Sequence, residues 1–484
     1  MSQNDSLLDM GTARLTRLVR LGLAAGLLVG GANIAQAQTS QTPTTPQDKQ
    51  AIAAAVDEGL TWHGITLYGI VDIGFQYENH GAPFSDYHPA GSANIVQKNS
   101  RQSADGFTPS NLSQSRIGLQ GAEPLGIGDL KGVFRVETFF NPQSGQISDA
   151  EKSMVLNNGK AAGAQGTNLD SSVAGQAFET AYAGLSSKTF GALTFGRQLT
   201  PVADGIAKYD PNYGSQAFSL IGMSGTYAGA GDTEDKRVDN SLKYSITAMD
   251  IARFSAIWKF NNSNGSSNSL WQLDAGGDYA GASVDAYFGK TKGGISASPL
   301  SAAQVTGLAA LGYSVTNSLA GTISDNTSAA LMGLYTWGPL KFLAGYEYIQ
   351  YDNPKHPIAA GFTDIGGYNL AYVNNAAYPH AKVLNLYWGG VRYTAMPGLD
   401  LTVAYYGYHQ NSYGSGATAG CNTSVAGTCS GRFESFSFDA DYSFTKRFDV
   451  YAGAMWSEVL DGVANGYAFQ RNNINPTIGV RFKF

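Results

Sequence analysis

The sequence predicts an all-β fold, a 16-stranded antiparallel transmembrane β-barrel, and three observations carry the prediction. Apolar and polar residues alternate with a period of two over segments as long as residues 65–77, more than the usual soluble strand of about 5–6 residues. The connections between these segments alternate between tight turns and long excursions, the asymmetric-rim layout of an outer-membrane barrel. Beyond the first 37 residues no run of 18 apolar residues occurs, so nothing there is long enough to cross a bilayer as a helix.

Composition agrees. Of 484 residues only 14% are charged, whereas Gly (60), Tyr (27) and Phe (23) are abundant, which suits turns and pleated surfaces better than helices. The net charge is −6 and there is no long basic run, so no electrostatic footprint for nucleic acid exists.

Taken from the N-terminus, residues 1–37 read as a cleaved signal peptide. Arg14, Arg17 and Arg20 form a basic region, Leu21 to Val29 a short apolar one, and Ala35-Gln36-Ala37 the small-x-small cleavage pattern. Residues 38–61, Pro/Thr-rich and then Ala-rich, form a periplasmic N-terminal extension. The barrel occupies 62–484. Its first strand alternates Ile65, Leu67, Val71, Ile73 and Phe75 with Thr66, Tyr68, Asp72 and Gln76; its last alternates Ile474, Ile478, Val480 and Phe482 with Asn475, Thr477, Arg481 and Lys483. Between them fall segments near 113–122, 129–140, 177–186, 189–198, 236–247, 249–260, 270–280, 282–290, 327–337, 339–351, 382–394, 398–410, 432–444 and 446–458. Two of these, 327–337 and 382–394, alternate poorly and leave their register open. Long excursions fall near 79–112, 141–176, 199–235, 291–326, 352–381 and 411–431. The last carries the chain's two cysteines, Cys421 and Cys429, expected to close a local loop disulfide in an oxidising compartment.

The direction of the apolar faces follows from size. Trp271, Leu273, Ala275 and Tyr279 oppose Gln272, Asp274 and Asp278; Phe436, Phe438, Ala440 and Tyr442 oppose Ser437, Asp439, Asp441 and Ser443. Sixteen strands enclose more space than wall side chains can fill. The apolar rows must then face outward, which only lipid or another subunit favours. Tyr77, Phe139, Phe140, Trp258, Phe260, Trp337, Tyr351, Trp456 and Phe484 fit interfacial girdles.

Six stretches, in order and spacing, carry a family resemblance: Ile65-Thr-Leu-Tyr-Gly-Ile-Val-Asp72, Asn111-Leu-Ser-Gln-Ser-Arg116-Ile-Gly-Leu-Gln-Gly121, Asp129-Leu-Lys-Gly-Val-Phe-Arg-Val-Glu137, Ala181-Tyr-Ala-Gly-Leu-Ser-Ser187, Phe195-Gly-Arg-Gln198 and Gly479-Val-Arg-Phe-Lys-Phe484. They resemble the first five strands and the last strand of the general porins of Gram-negative bacteria, over residues 62–484. The resemblance implies a homotrimer in outer-membrane lipid, with parallel water-filled channels for small hydrophilic solutes and ions. It also implies a third loop folded into each barrel, and a last strand ending at Phe484 that barrel assembly machinery reads. It implies no cofactor.

That third loop corresponds to about 199–236. In the family, acidic loop residues face a basic ladder on the wall and set up a transverse field. The basic candidates are Arg116, Lys131, Arg135, Arg237 and Lys243, of which Arg116 and Arg237 match most directly. The acidic candidates are Asp72, Glu179, Asp204, Asp210 and Glu234, with Asp232 and Asp235 beside the last. Glu179 stands where relatives often carry Arg, which leaves the sign of selectivity open. The same charges also read as ordinary hydrated wall residues. Arg197 shares the parity of Leu193 and Phe195, and reads as a strand-end residue pairing within a trimer interface.

No catalytic constellation stands out. Gly222-Met-Ser-Gly225 departs from a nucleophile elbow by one residue, and Gly126-Ile-Gly128 lies in a turn rather than before a helix. His80 and His88 near Asp86 read as loop residues rather than a metal site. The expected function is therefore a diffusion channel and not an enzyme. A substrate-preferring channel for anions or sugars is the alternative, and a barrel enzyme the remote one.

Overall fold

The computed structural model describes residues 60–81, 84, 86, 103–161, 164, 178–221, 237–260, 269–361, 365, 368–422, 426–467 and 469–484. The expected signal peptide and nearly all of the 38–61 extension lie outside the described residues, as do His88, Glu234, Asp232 and Asp235. Sixteen wall strands follow one another around a closed antiparallel sheet: β1 Ile65–Glu78, β2 in two pieces (Ala104–Pro109 and Arg116–Pro124), β3 Lys131–Asn141, β4 Thr180–Ser187, β5 Gly191–Leu199, β6 Arg237–Ala248, β7 Ala252–Lys259, β8 Ser269–Tyr279, β9 Ala282–Ser298, β10 Leu319–Trp337, β11 Leu340–Asp352, β12 Lys382–Met396, β13 Leu399–Gln410, β14 Gly431–Ser443, β15 Phe448–Asp461 and β16 Asn472–Lys483. Each pairs with its sequence neighbours, and β16 closes on β1 in the register Ile70↔Lys483 to Gln76↔Thr477. Closure leaves no edge strand, so each wall strand has backbone partners on both sides over at least part of its length.

The wall has the polarity expected of a membrane barrel. On β16 burial alternates residue by residue: Ile478 is 60% exposed, while Thr477 is 4% exposed. Outward rows such as Ile117 and Leu119, or Phe436 and Phe438, are exposed, while Arg116, Glu137, Asp285 and Arg481 are buried inside. In water each such outward side chain would forgo roughly 1.5–3 kcal/mol of burial; lipid removes that cost. Two girdle assignments are corrected. Phe139 and Tyr351 face inward, 0% and 1% exposed, because their parity matches the lumen residues Arg135 and Ile349 rather than the outer rows.

The poorly alternating segments have a physical explanation. The inner face of β12 carries Leu384, Leu386 and Trp388, and that of β10 Ala330 and Met332, all buried in a cluster with Val202, Ile206 and Tyr209 of the third loop. Their outer faces carry Tyr387 and Val391, or Leu331 and Tyr335. Both faces are apolar, one toward lipid and one toward the loop, so alternation fades although the register is regular.

Two boundaries move. The hairpin β9–β10 runs well past the expected 282–290 and 327–337, through a register shift between Thr291 and Gly294. Its extension is held by a satellite cluster of Ile295, Leu319 and Ile323 with Met154, Ile358, Ile365, Tyr368 and Leu370. Those residues come from the second and sixth loops, including a short strand, Leu370–Asn374, that pairs parallel to the start of β10. The second change is in β2, which is interrupted at 110–115. Pro109 supplies no N–H, Ser110 adopts φ 61°, and the Asp72 carboxylate accepts from Leu112 N (3.0 Å) and Ser113 N (2.7 Å), fixing a turn where a ladder would otherwise run.

Among the described residues, three α-helices decorate the loops. α1, Ala150–Leu156 in the second loop, is N-capped by Asp149; α2 is Pro201–Tyr209 in the third, with Pro at its first position. α3, Ala302–Ala310 in the fifth, starts in a Ser301/Gln304 capping box.

Candidate functional site

The third loop turns inward directly after β5. Thr200 remains extended and Pro201 starts α2, whose apolar side (Val202, Ile206, Tyr209) packs on the inner wall formed by β8–β13. The approach is close at Gly205: a Cβ there would collide with the Tyr287 ring and lie 3.0 Å from Met332 Sδ. Polar side chains fasten the same helix. Lys208 Nζ lies 3.2 Å from Asp285 Oδ2, the Tyr209 hydroxyl donates to the same carboxylate, and Arg253 Nη2 lies 2.8 Å from Asp285 Oδ1. Trp388 Nε1 donates to Tyr209 O at 3.1 Å.

Beyond α2 the loop continues along the wall rather than through open space. The Arg392 guanidinium donates to Pro211 O and lies 3.4 Å from the centroid of the Tyr213 ring. Asn212 Nδ2 donates to Ser437 Oγ (2.9 Å) and Phe218 O (2.8 Å). At the far end Ser215 Oγ and Ala217 N both donate to Asn111 O, at 2.7 and 2.9 Å. The loop thus reaches the interruption in β2, and Asn475 Nδ2 donates to Ala217 O at 2.9 Å.

The basic residues gather on β2, β3 and β6. Arg116 and Arg237 flank the Phe139 ring, at 5.3 and 4.5 Å from its centroid. Arg135 Nη2 lies 2.6 Å from Glu137 Oε2, which also accepts from the Tyr68 hydroxyl at 2.9 Å; Arg116 Nη1 is 4.0 Å from the other Glu137 oxygen. Arg197 pairs with Glu179 of the same chain at 3.6 Å. Lys243 Nζ sits at the root of the loop, 2.5 Å from Asp204 Oδ2 and 2.8 Å from Leu199 O. Lys131 begins β3 at the short-turn rim, away from this group.

Two acidic candidates stand apart from that face. Asp72 binds the β2 interruption and receives the Tyr451 hydroxyl at 2.6 Å. Asp210, fully buried, accepts from Tyr406 OH (2.6 Å), Asn212 N (3.1 Å) and Gly214 N (2.7 Å), and so shapes the loop's own turn. Two further charge clusters escaped sequence reasoning. One is the Asp285 hub. The other joins Arg481 to Asp449 (2.7 Å) and Asp441 (2.9 Å), with Lys483 on Asp449 at 2.8 Å. Inward parity on β9, β14, β15 and β16 marks these residues as lumenal, and that was the available signal. Their mutual pairing comes only from strand register. Outside the wall, Cys421 and Cys429 are bonded, with Cα atoms 5.2 Å apart.

The chain matches the family model described as Gram-negative porin over residues 23–461. It is 24% identical to an outer membrane porin protein of Bordetella pertussis, covering 95% of this chain and 97% of that one. Among solved structures it is similar in fold to an anion-selective porin from Comamonas acidovorans (TM-score 0.53, 16% identity, 87% of this chain and 99% of that one). It is also similar to OmpT of Vibrio cholerae (0.52, 15%, 88% and 99%) and to a trimer form of in-vitro-folded OmpT (0.51, 14%, 87% and 99%).

Proposed function

Because this chain belongs to the Gram-negative porin family, we propose that it forms homotrimers of parallel water-filled channels in the outer membrane. Each passes small hydrophilic solutes and ions by passive diffusion, with a modest preference for anions. One observation carries the reading: apolar rows face outward and charged rows inward around a closed wall, with a loop folded against the inside. A wall of that polarity is stable only with lipid outside and hydrated groups within.

The anion preference rests on the face formed by β2, β3, β5 and β6. Arg116, Arg135, Arg197, Arg237 and Lys243 there outnumber Glu137, Glu179 and Asp204. Because each carboxylate already pairs with one of these cations, the excess positive field is small. Charged rings act on permeating ions through Coulomb fields in a confined pore. The trimer is supported by the trimer form of the similarly folded Vibrio protein. Export by a cleaved signal ending at Ala37 and recognition of the Phe484 end by assembly machinery complete the reading.

Planar-bilayer recording of purified protein tests it. Stable ohmic openings in groups of three, with a reversal potential in a salt gradient displaced modestly toward chloride, are the expected result. A protein that inserts without conducting overturns the channel. Single steps overturn the trimer, and a potential displaced toward potassium overturns the anion preference.

A further inference from the structure

We propose that the outer face of β9 carries a binding site for the phosphorylated headgroup of an outer-leaflet glycolipid, formed by Lys290 and Lys292. The inference rests on the outer-membrane reading above. Both side chains are exposed at successive outward positions, continuing the row Val284, Ala286, Phe288. At about 3.3 Å per residue and a tilt near 40°, Lys290 stands ~20 Å and Lys292 ~25 Å above the start of β9. That height is the upper edge of an apolar band ~25 Å tall, where headgroups begin.

The neighbours fit an anion. Trp271 and Thr327 stand opposite Lys290, and Ser269 opposite Lys292, placing an interfacial ring and two hydroxyls around the two ammonium groups. No carboxylate among the described residues pairs with either lysine. Asp325, at the register shift beside them, already accepts from Gly293 N (2.9 Å) and Lys355 N (3.1 Å). The adjoining 261–268 connection contains no acidic residue in its sequence. Elsewhere on the same rim the outward cation is balanced: Arg432 pairs with Glu434 at 3.0 Å, and Glu458 lies opposite Glu434. Two cations left without a carboxylate beside an interfacial tryptophan call for an anion from the membrane. Their i,i+2 spacing of roughly 7 Å lets both reach one phosphate.

The test is native mass spectrometry of the intact protein in detergent. The probes are a diphosphorylated acyl-glucosamine disaccharide lipid and its dephosphorylated counterpart, with inorganic phosphate as competitor. The wild type is expected to retain the phosphorylated lipid preferentially. Lys290→Gln with Lys292→Gln should weaken retention roughly thirty-fold, two surface cations' worth, while Lys290→Arg with Lys292→Arg retains it. Millimolar inorganic phosphate should leave the complex in place. Unchanged bilayer conductance of the Gln pair establishes that it is folded. Equal retention of both lipids by the wild type, unaltered retention by the folded Gln pair, or displacement by inorganic phosphate overturns the proposal. A non-conducting wild type that still binds the phosphorylated lipid would fail the channel reading alone.

Discussion

Reversing Arg116 and Arg237 together gives the most quantitative handle on the channel. The two guanidinium groups flank one phenyl ring, at 5.3 and 4.5 Å from its centroid, so Arg116→Glu with Arg237→Glu exchanges two positive charges for two negative ones at one spot. Each unit charge acts on an ion about 6 Å away with ~0.7 kcal/mol in a water-like dielectric. Screening at 0.1 M salt leaves roughly half. Four units of charge change then amount to ~1.5 kcal/mol against chloride and as much in favour of potassium, ~3 kcal/mol between them, or about a hundredfold fall in the chloride-to-potassium permeability ratio. The assay is the reversal potential across a bilayer in a salt gradient near 0.1 M, with a repeat near 1 M, where a Debye length of about 3 Å should erase most of the shift. Arg116→Gln with Arg237→Gln should give about half the effect in free energy and avoids placing a carboxylate beside Glu137. A conducting double mutant with the wild-type reversal potential at low salt would refute these residues as selectivity determinants.

Other outcomes follow from individual contacts. Gly205→Leu drives a side chain into Tyr287 and Met332 and should loosen α2 by about 1–3 kcal/mol, read as increased open-channel noise without loss of the barrel. Asp72→Ala removes the acceptor for two backbone N–H groups and the Tyr451 hydroxyl. At ~1–3 kcal/mol per buried group left unpaired, it should lower the denaturant midpoint, and an unchanged midpoint would contradict the role given to Asp72. Replacing Cys421 and Cys429 by Ser opens a loop of sequence separation 8 at a local cost of ~2–3 kcal/mol; protease should nick 411–430 faster while conductance stays the same. In the second loop, burial first and Asp149 second push the Glu151 carboxyl up to about 7. Its folded-state value lies above its ordinary one, so docking of α1 is fullest below the ordinary glutamate range and weakens as pH rises through 7. Amide protection of 150–156, corrected for intrinsic exchange, should fall over that window in the wild type and not in Glu151→Gln.

Strand-level architecture was legible because period-two alternation is a local property. β16 and β14 can be oriented from sequence alone, and the lumenal parity of Arg116, Arg135 and Lys243 follows from it. What escaped is non-local. The β9–β10 extension exists because Met154 and Leu370, far away in sequence, cover Ile295 and Leu319. The break in β2 depends on a carboxylate from β1. Asp210 reads as a field-setting acid until Tyr406, nearly 200 residues later, is seen to hold it inside the loop's turn. Tyr351 and Phe139 read as girdle residues because an aromatic at a strand end looks the same from either face. Side-chain type is visible in sequence, whereas the choice between lipid, loop and lumen is made by the partner across the barrel.

A channel requires above all that the inner face of the wall meets water and the outer face lipid. Spin labels at Phe438→Cys, outward and 48% exposed, and at Asp441→Cys, inward on the same strand, compare the two faces within three residues. In reconstituted membranes the label at 438 should collide with dissolved oxygen and be shielded from a water-soluble nickel chelate, and the label at 441 should show the reverse. Nickel access at 438 together with its absence at 441 would place the apolar rows in water and contradict the channel.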